Sequence, residues 1–257
     1  MPLEEIINRQ GIIISAPASG AGKTTVTLGL INAFARKRSV QPFKSGPDYI
    51  DSKFQSVAAD RPSYNLDTWA MSSSDILNMI GMVGPSDICI AEGSMGLFDG
   101  VISKGAGGNG STADLASITN WPVILVVDCA KQAQSVAALI TGFNSFRHDI
   151  TIGGVILNNI SSKRHEALVV SEVSKTKVPI LGVIPRSNEL TIPERHLGLV
   201  QAEDLSDLEQ LIFKLGTLIE ENCDLEAIAC TARNSSPAIP TLQKIIPPAQ
   251  RIAIARD

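Results

Sequence analysis

The residues with the clearest chemistry are Gly20, Gly22, Lys23, Thr24 and Thr25, which close the stretch GIIISAPASGAGKTT. An apolar run, Ile12–Ile14, feeds a small flexible turn, Ala16–Gly22, and a helical pattern opens at Lys23. Strand, glycine-bearing loop and helix in that order make a cradle for a chain of phosphates. The backbone N–H groups of Gly20, Ala21, Gly22 and Lys23 can converge because the loop carries little Cβ bulk. The helix N-terminus adds partial positive charge, Lys23 adds a full one, and the Thr24 hydroxyl suits Mg²⁺. The strict pattern G-x-x-x-x-G-K-[ST] wants glycine at position 17, where Pro17 stands, so this is a variant of that loop. Ser19, Gly20, Ala21, Gly22, Lys23, Thr24 and Thr25 are the candidate nucleotide-binding residues.

Further candidates follow other apolar runs. In Phe43–Asp51, FKSGPDYID, Lys44 can set a second cation on a phosphoryl group in transfer. Asp48 and Asp51, three apart, can share a helix face and reach a metal; Asp51 can equally cap a helix over Ser52–Ala59. Glu92 directly follows an apolar run, the usual place for an acidic Mg²⁺ partner beside a phosphate loop. Asp99, between Phe98 and Gly100, is a site candidate or a turn residue. Asp67 either starts a helix or serves the site, and Asp128 reads better as a cap. Lys104–Thr112, KGAGGNGST, is a surface loop or a lid that orders on substrate, and its Ser111 is also a candidate N-cap. Asn158 can read a base edge or simply make a turn. His196 is a catalytic candidate, with a structural role favoured.

Positioning these groups requires strands with their loops on one side. Candidate strands are Gly11–Ser15, Val40–Phe43, Asp87–Ala91, Val123–Asp128, Gly153–Leu157 and Ile180–Ile184. Candidate helices are Thr24–Arg38, Phe54–Ala59, Ser73–Met82, Thr112–Thr119, Ala133–Phe146, Lys163–Thr176 and Leu205–Glu221. Arg61–Trp69 reads as turn. Runs such as VILVV lack alternation, as in strands covered on both faces. The order predicts an α/β fold with a doubly wound, mostly parallel sheet, whose ligands sit beyond the C-terminal strand ends. Residues 1–234 form one domain in this reading. Residues 235–250, with four prolines, form a linker, and 251–257 begin a new strand, as in a fragment of something longer.

The 257 residues are 44% hydrophobic and 19% charged, with net charge −4. No Lys/Arg block suggests nucleic acid, and no apolar run nears the roughly 20 residues of a membrane span. The start, MPLEEIINRQ, lacks the layout of a secretory signal. Cys89, Cys129, Cys223 and Cys230 form no C-x-x-C pair and read as free thiols of a cytoplasmic protein.

The segments APASGAGKTT, PFKSGPDYID, NLDTW, AEGSMGLFDG, GSTADLA, GGVILNN, IPERHLGLV and IAIARD together resemble the cobyrinic acid a,c-diamide synthase family, of which the chain looks like the N-terminal synthetase domain. The resemblance implies a P-loop NTPase fold of the dethiobiotin-synthetase-like type. It implies that ATP and Mg²⁺ phosphorylate side-chain carboxylates of a corrinoid or related tetrapyrrole polycarboxylate. Ammonia then displaces phosphate, at the a and c side chains in turn. Lys23 would hold the β/γ phosphates, Thr24, Asp48 and Glu92 the metal, with Asp51 a further carboxylate. Lys44 would steady the phosphoryl group, and Asp99 would position ammonia or the acceptor. Tyr49, Ile50, Ser111 and Thr112 match the substrate side, and Asn158 the adenine. A C-terminal glutaminase domain, missing from this chain, would supply ammonia from glutamine, and a homodimer is allowed. Two other readings compete: a carboxylating ligase like dethiobiotin synthetase, and a nucleotide-switch ATPase. Ala18, where switch ATPases often carry lysine, argues against the second.

Overall fold

The computed structural model describes residues 9–187, 194–195, 198–199, 207–235, 251 and 253. Expectations at His196, 205–206, 236–250 and most of 251–257 lie outside the described residues. The chain alternates strands and helices: β1 (Gln10–Ser15), α1 (Lys23–Ala35), β2 (Val40–Ser45), α2 (Tyr49–Ala59), β3 (Tyr64–Leu66), α3 (Ser73–Met82), β4 (Ile88–Glu92) and α4 (Thr112–Thr119). There follow β5 (Val123–Asp128), α5 (Val136–Phe146), β6 (Ile152–Ile160), α6 (Lys163–Val173) and β7 (Ile180–Pro185). A two-residue pair, β8 (Glu194–Arg195) and β9 (Gly198–Leu199), then precedes α7 (Leu208–Asn222), α8 (Leu225–Thr231) and β10 (Arg233–Asn234).

One sheet has the order β3-β2-β4-β1-β5-β6-β7, and its neighbours along that path are all parallel. β10 returns antiparallel against the start of β1, Gln10 opposite Asn234. The chain runs from β1 outward to β2 and β3, comes back with β4, then crosses to β5 on the other side. β1 and its neighbours therefore stand at the topological switch point, where the loops diverge and leave a crevice.

The sheet is covered on both faces, which is why its strands show no polar alternation. Ile13, Phe43, Ala91 and Leu125 face α3–α6 through Ile76, Leu115, Ile140 and Val169. Ile12, Ile14, Ile90 and Ile124 face α1, α2, α7 and α8 through Leu30, Phe54, Leu215 and Ile228. Fully burying one such side chain contributes about 1.5–3 kcal/mol. Helix α1 lies between sheet and α7, so eight of its residues are buried. At its crossing with α7, a Cβ on Gly29 would stand 2.5 Å from Ile219 Cγ1 and 2.8 Å from the Leu215 carbonyl. The helices approach that closely because the side chain is missing.

Two expectations are corrected. Arg61–Trp69 holds an edge strand, β3, paired in register with Phe43–Ser45 of β2; three residues between Pro62 and Asp67 are too few for a period to show. The last expected helix ends at Glu221, yet another follows: Asp224 accepts from the Ala227 N–H and starts α8. Lys104–Thr112 is tied down rather than loose. The Ala106 and Gly107 N–H groups donate to Trp69 O and Thr68 O, and a Cβ at Gly107 would stand 2.6 Å from Met71 O. The glycines there permit close backbone contact.

Candidate functional site

Parallel register brings three tips together. Glu92 closes β4 opposite Ile14 of β1 on one side and Lys44 of β2 on the other. The loop after β4 is then fastened to the end of β1: Gly93 N–H donates to Ile14 O and Leu97 N–H to Ala16 O, both at 2.8 Å. A Cβ on Gly96 would meet Pro17 O at 2.6 Å.

The phosphate loop turns into α1 at Gly22, whose φ of 88° is left-handed and costs a non-glycine residue strain. A Cβ there would also collide with the Asn158 amide. α1 has no side-chain cap and no acidic residue in its first turn, whereas α2, α3 and α4 are capped by Asp48, Ser72 and Ser111. Its first N–H donors and the positive end of its dipole are left for an anion.

Beside that helix start, Glu92 is fully buried and gathers cations and donors. Thr24 Oγ1 donates to its Oε1 at 2.7 Å. Lys23 Nζ lies 3.6 Å and Lys44 Nζ 3.3 Å from the same oxygen, and Gln55 Nε2 donates to Oε2 at 2.8 Å. Burial pushes the Glu92 carboxyl up, but Lys44, Lys23 and the two hydrogen bonds together hold it below its ordinary value. Lys44, 3% exposed, also meets Asp51 Oδ2 at 2.6 Å and the Gly93 carbonyl at 3.3 Å. Its three N–H donors thus have three acceptors. Burial acts to lower the Lys44 pKa, and the charges of Glu92 and Asp51 outweigh it and raise it. Asp51 is pushed up to about 6 by burial and by the Glu92 charge, which exceed the opposing pull of Lys44.

Lys23, Thr24, Lys44, Asp51 and Glu92, found on three separate stretches of sequence, therefore form one cluster. Asp48, not Asp51, caps α2: its Oδ1 accepts from the Ile50 and Asp51 N–H groups at 2.9 and 3.2 Å. Tyr49 is exposed and Ile50 half-buried at the start of that helix. Asp99 is exposed and accepts from the Gly96 N–H at 2.9 Å. Ser111 and Thr112 are buried; Ser111 caps α4, and Thr112 Oγ1 holds Ser94 through its N–H and carbonyl. Asn158 Nδ2 donates to Ala21 O at 2.9 Å and so supports the phosphate loop from below. Asn158 and Asn159 line a cavity of about 150 Å³ with Gly20, Gly22, Thr25 and Pro185. Ser19 is exposed on the loop. Asp67 and Asp128 accept from N–H groups two residues on, Trp69 and Ala130. Sequence reasoning missed Gln55; its signal is the four-residue step from Asp51, which places both on one face of α2.

Thr24 and Glu92 offer hard oxygen donors 2.7 Å apart beside the helix start, a set that suits Mg²⁺. Among the described residues no group of three or more His, Cys, Asp and Glu surrounds one point. A divalent ion held by one or two protein oxygens, with phosphates and water completing its shell, needs no such cage. Cys89 and Cys129 are fully buried, and burial pushes their thiols up to about 11 and about 12. Neither has the electropositive, accessible setting of a nucleophile. No helix among the described residues is long and apolar enough to cross a membrane.

A parallel sheet, a glycine-bearing loop running into an uncapped helix, and lysines gathered at the strand tips define a nucleotide-binding α/β protein of the P-loop type. The model of the CobQ/CobB/MinD/ParA nucleotide binding domain matches residues 12–200, and the chain belongs to that family. It is 45% identical over 249 residues to the hydrogenobyrinate a,c-diamide synthase of Rhodobacter capsulatus, covering 96% of this chain and 57% of that protein. It is 44% identical over 253 residues to the enzyme of that name from Brucella anthropi, and 45% over 251 residues to that from a Sinorhizobium species, with the same coverage. The chain thus spans 57% of the length of these curated relatives.

Proposed function

We propose that this chain is the synthetase part of a glutamine-dependent a,c-diamide synthase in cobalamin biosynthesis. ATP would phosphorylate the a and c side-chain carboxylates of hydrogenobyrinic or cobyrinic acid, and ammonia would displace phosphate from each acyl phosphate to leave an amide. The observation that carries this reading is the meeting of Lys23, Lys44 and Thr24 at one oxygen of buried Glu92. A carboxylate attacks a phosphate only where cations offset the repulsion of two anions, and Lys23, opening α1, and Lys44, on β2, meet at one Glu92 oxygen to do that. The acceptor needs no general base, since it is ionised near neutral pH.

In this proposal Ser19–Thr25 bind the phosphates, with Lys23 on the β/γ groups. Thr24 and Glu92, with Asp48, would hold Mg²⁺, which would offset charge on the transferring phosphoryl group. Asn158 borders the seat of the base. Lys44 would steady the phosphoryl group in transfer, and Asp51, 2.6 Å from its Nζ, would keep it aimed. Tyr49, Ile50 and Asp99 face the tetrapyrrole, with Ser111 and Thr112 shaping its side of the site from beneath. Residues 1–234 are the synthetase domain, 235–250 a linker and 251–257 the first strand of the glutaminase domain that supplies ammonia.

The test is product analysis with ATP, Mg²⁺, ammonium and a panel of ring polycarboxylates. Two successive amidations of hydrogenobyrinic or cobyrinic acid, each with release of phosphate, are expected. ATP turnover indifferent to every tetrapyrrole but raised by a partner protein would mark a switch ATPase. Turnover with a diaminated fatty acid would mark a carboxylating ligase.

A further inference from the structure

Glu92 has a second oxygen, and what holds it is outside the cluster of lysines. Gln55, on the buried face of α2 and itself fully buried, donates through Nε2 to Glu92 Oε2 at 2.8 Å. Its other end, Oε1, accepts from the Ser63 hydroxyl at 2.8 Å, just before β3. Ser63 is in turn fixed, its N–H donating to Ser56 Oγ at 2.9 Å. The chemistry sets the direction of this chain. A carboxylate offers only acceptors, so Gln55 must present its NH₂ to Glu92, and its carbonyl is then left for a donor, which Ser63 provides. Of the two Glu92 oxygens, one is therefore fastened to the protein and the other is turned toward Thr24, Lys23 and Lys44.

We infer that Gln55 is a positioning residue. With Ser63 behind it, Gln55 locks the rotation of the Glu92 carboxylate so that Oε1 alone faces the phosphate loop and the metal. The inference rests on the reading of Glu92 as the metal carboxylate. An amide is suited to this place: a carboxylate there would set two anions against each other in a buried space, and an apolar side chain would leave Oε2 without its donor. A carboxylate free to rotate would still bind a cation, but less often in the geometry that Thr24 shares.

The experiment compares Gln55→Leu, Ser63→Ala and Ser63→Thr with the unaltered chain and with Glu92→Gln. Binding of a fluorescent ATP analogue is measured in chelator and in saturating Mg²⁺, and thermal unfolding is measured without ligand. Metal-free affinity should stay within about threefold in Gln55→Leu, because the phosphate loop is untouched. The gain in affinity that Mg²⁺ gives should fall by about tenfold or more, the worth of a hydrogen bond to a charged group. Ser63→Ala should lose a smaller part of that gain, and Ser63→Thr, which keeps the hydroxyl, should restore it. An unchanged Mg²⁺ gain in Gln55→Leu overturns the inference, as does an equal loss with and without Mg²⁺, which is what a merely structural role would produce. If Gln55→Leu does not fold, equal Mg²⁺ gains in Ser63→Ala and the unaltered chain overturn it. An undiminished Mg²⁺ gain in Glu92→Gln overturns the metal reading of Glu92 itself, and with it the inference.

Discussion

Replacing Lys44 by methionine tests the electrostatic core of the site before any ligand is added. Methionine keeps most of the length and removes the charge. What is left is Glu92, fully buried, beside Asp51, 7% exposed, with no lysine between them. At an effective dielectric of about 20, a pair at the 2.6 Å of Lys44–Asp51 has a gross attraction of about 6 kcal/mol, and one at the 3.3 Å of Lys44–Glu92 about 5 kcal/mol. Desolvation of the lysine offsets part of this, and Asp51 relieves a further part by taking a proton. The net loss should then fall near the roughly 3–5 kcal/mol typical of a buried pair that loses one partner. For a domain of this size that lowers Tm by about 6–20 °C. Calorimetry or circular dichroism on the ligand-free chain measures it. In the double variant Lys44→Met/Asp51→Asn one of the two stranded carboxylates is gone, so at least half of the loss should return. A loss below about 1 kcal/mol, or a double variant as unstable as the two single losses summed, would refute the assignment of Lys44 as the cation that holds this cluster together.

Other outcomes follow from the same geometry. Glu92→Gln should abolish ATP-dependent amide formation while circular dichroism stays native; near-normal product formation removes Glu92 from the metal. Asp51 has a folded pKa raised from 3.8 to about 6, so the folded chain binds the extra proton between those values. Its contribution to stability is present below about pH 4 and is lost as pH rises through about 6; relative to the unaltered chain, Asp51→Asn should become more stable over that interval, and a change of opposite sign counts against the shift. Gly29→Ala should lower stability by about 1–2 kcal/mol despite the better helix propensity of alanine, because its Cβ would meet the α7 backbone and Ile219; a rise in Tm contradicts that crossing. Cys230, which is exposed, should react with a thiol reagent in the native state well before the buried Cys89 and Cys129, and simultaneous labelling would mean that the core opens.

The layered fold was legible because burial on both faces leaves a strong mark on strands: Val123–Asp128 stands where its apolar run put it, as do helices α3 and α4. β3 was not legible, because an edge strand of three residues has neither period nor a full apolar face. At the site, Lys23, Thr24, Lys44 and Glu92 were found from type and position after strands, and parallel pairing then made them neighbours. At the helix start the cap that the sequence allowed to Asp51 falls to Asp48, since their three-residue spacing lets either one cap and sequence does not say where the helix turns. Gln55 was passed over because its four-residue step from Asp51 is a weak signal, and an amide in mid-helix looks like a surface residue until the fold turns it inward toward a carboxylate.

The short return strand carries a mechanical consequence. Arg233–Asn234 pairs with Gln10–Gly11, and the Ser235 N–H donates to Arg9 O at 2.8 Å, so position 235 is latched to the floor of the sheet while ATP chemistry would take place on its roof. Six residues of β1 separate the two levels, about 20 Å. In the proposed function, a glutaminase unit joined to the chain after position 235 would have to span that height to deliver ammonia at the roof.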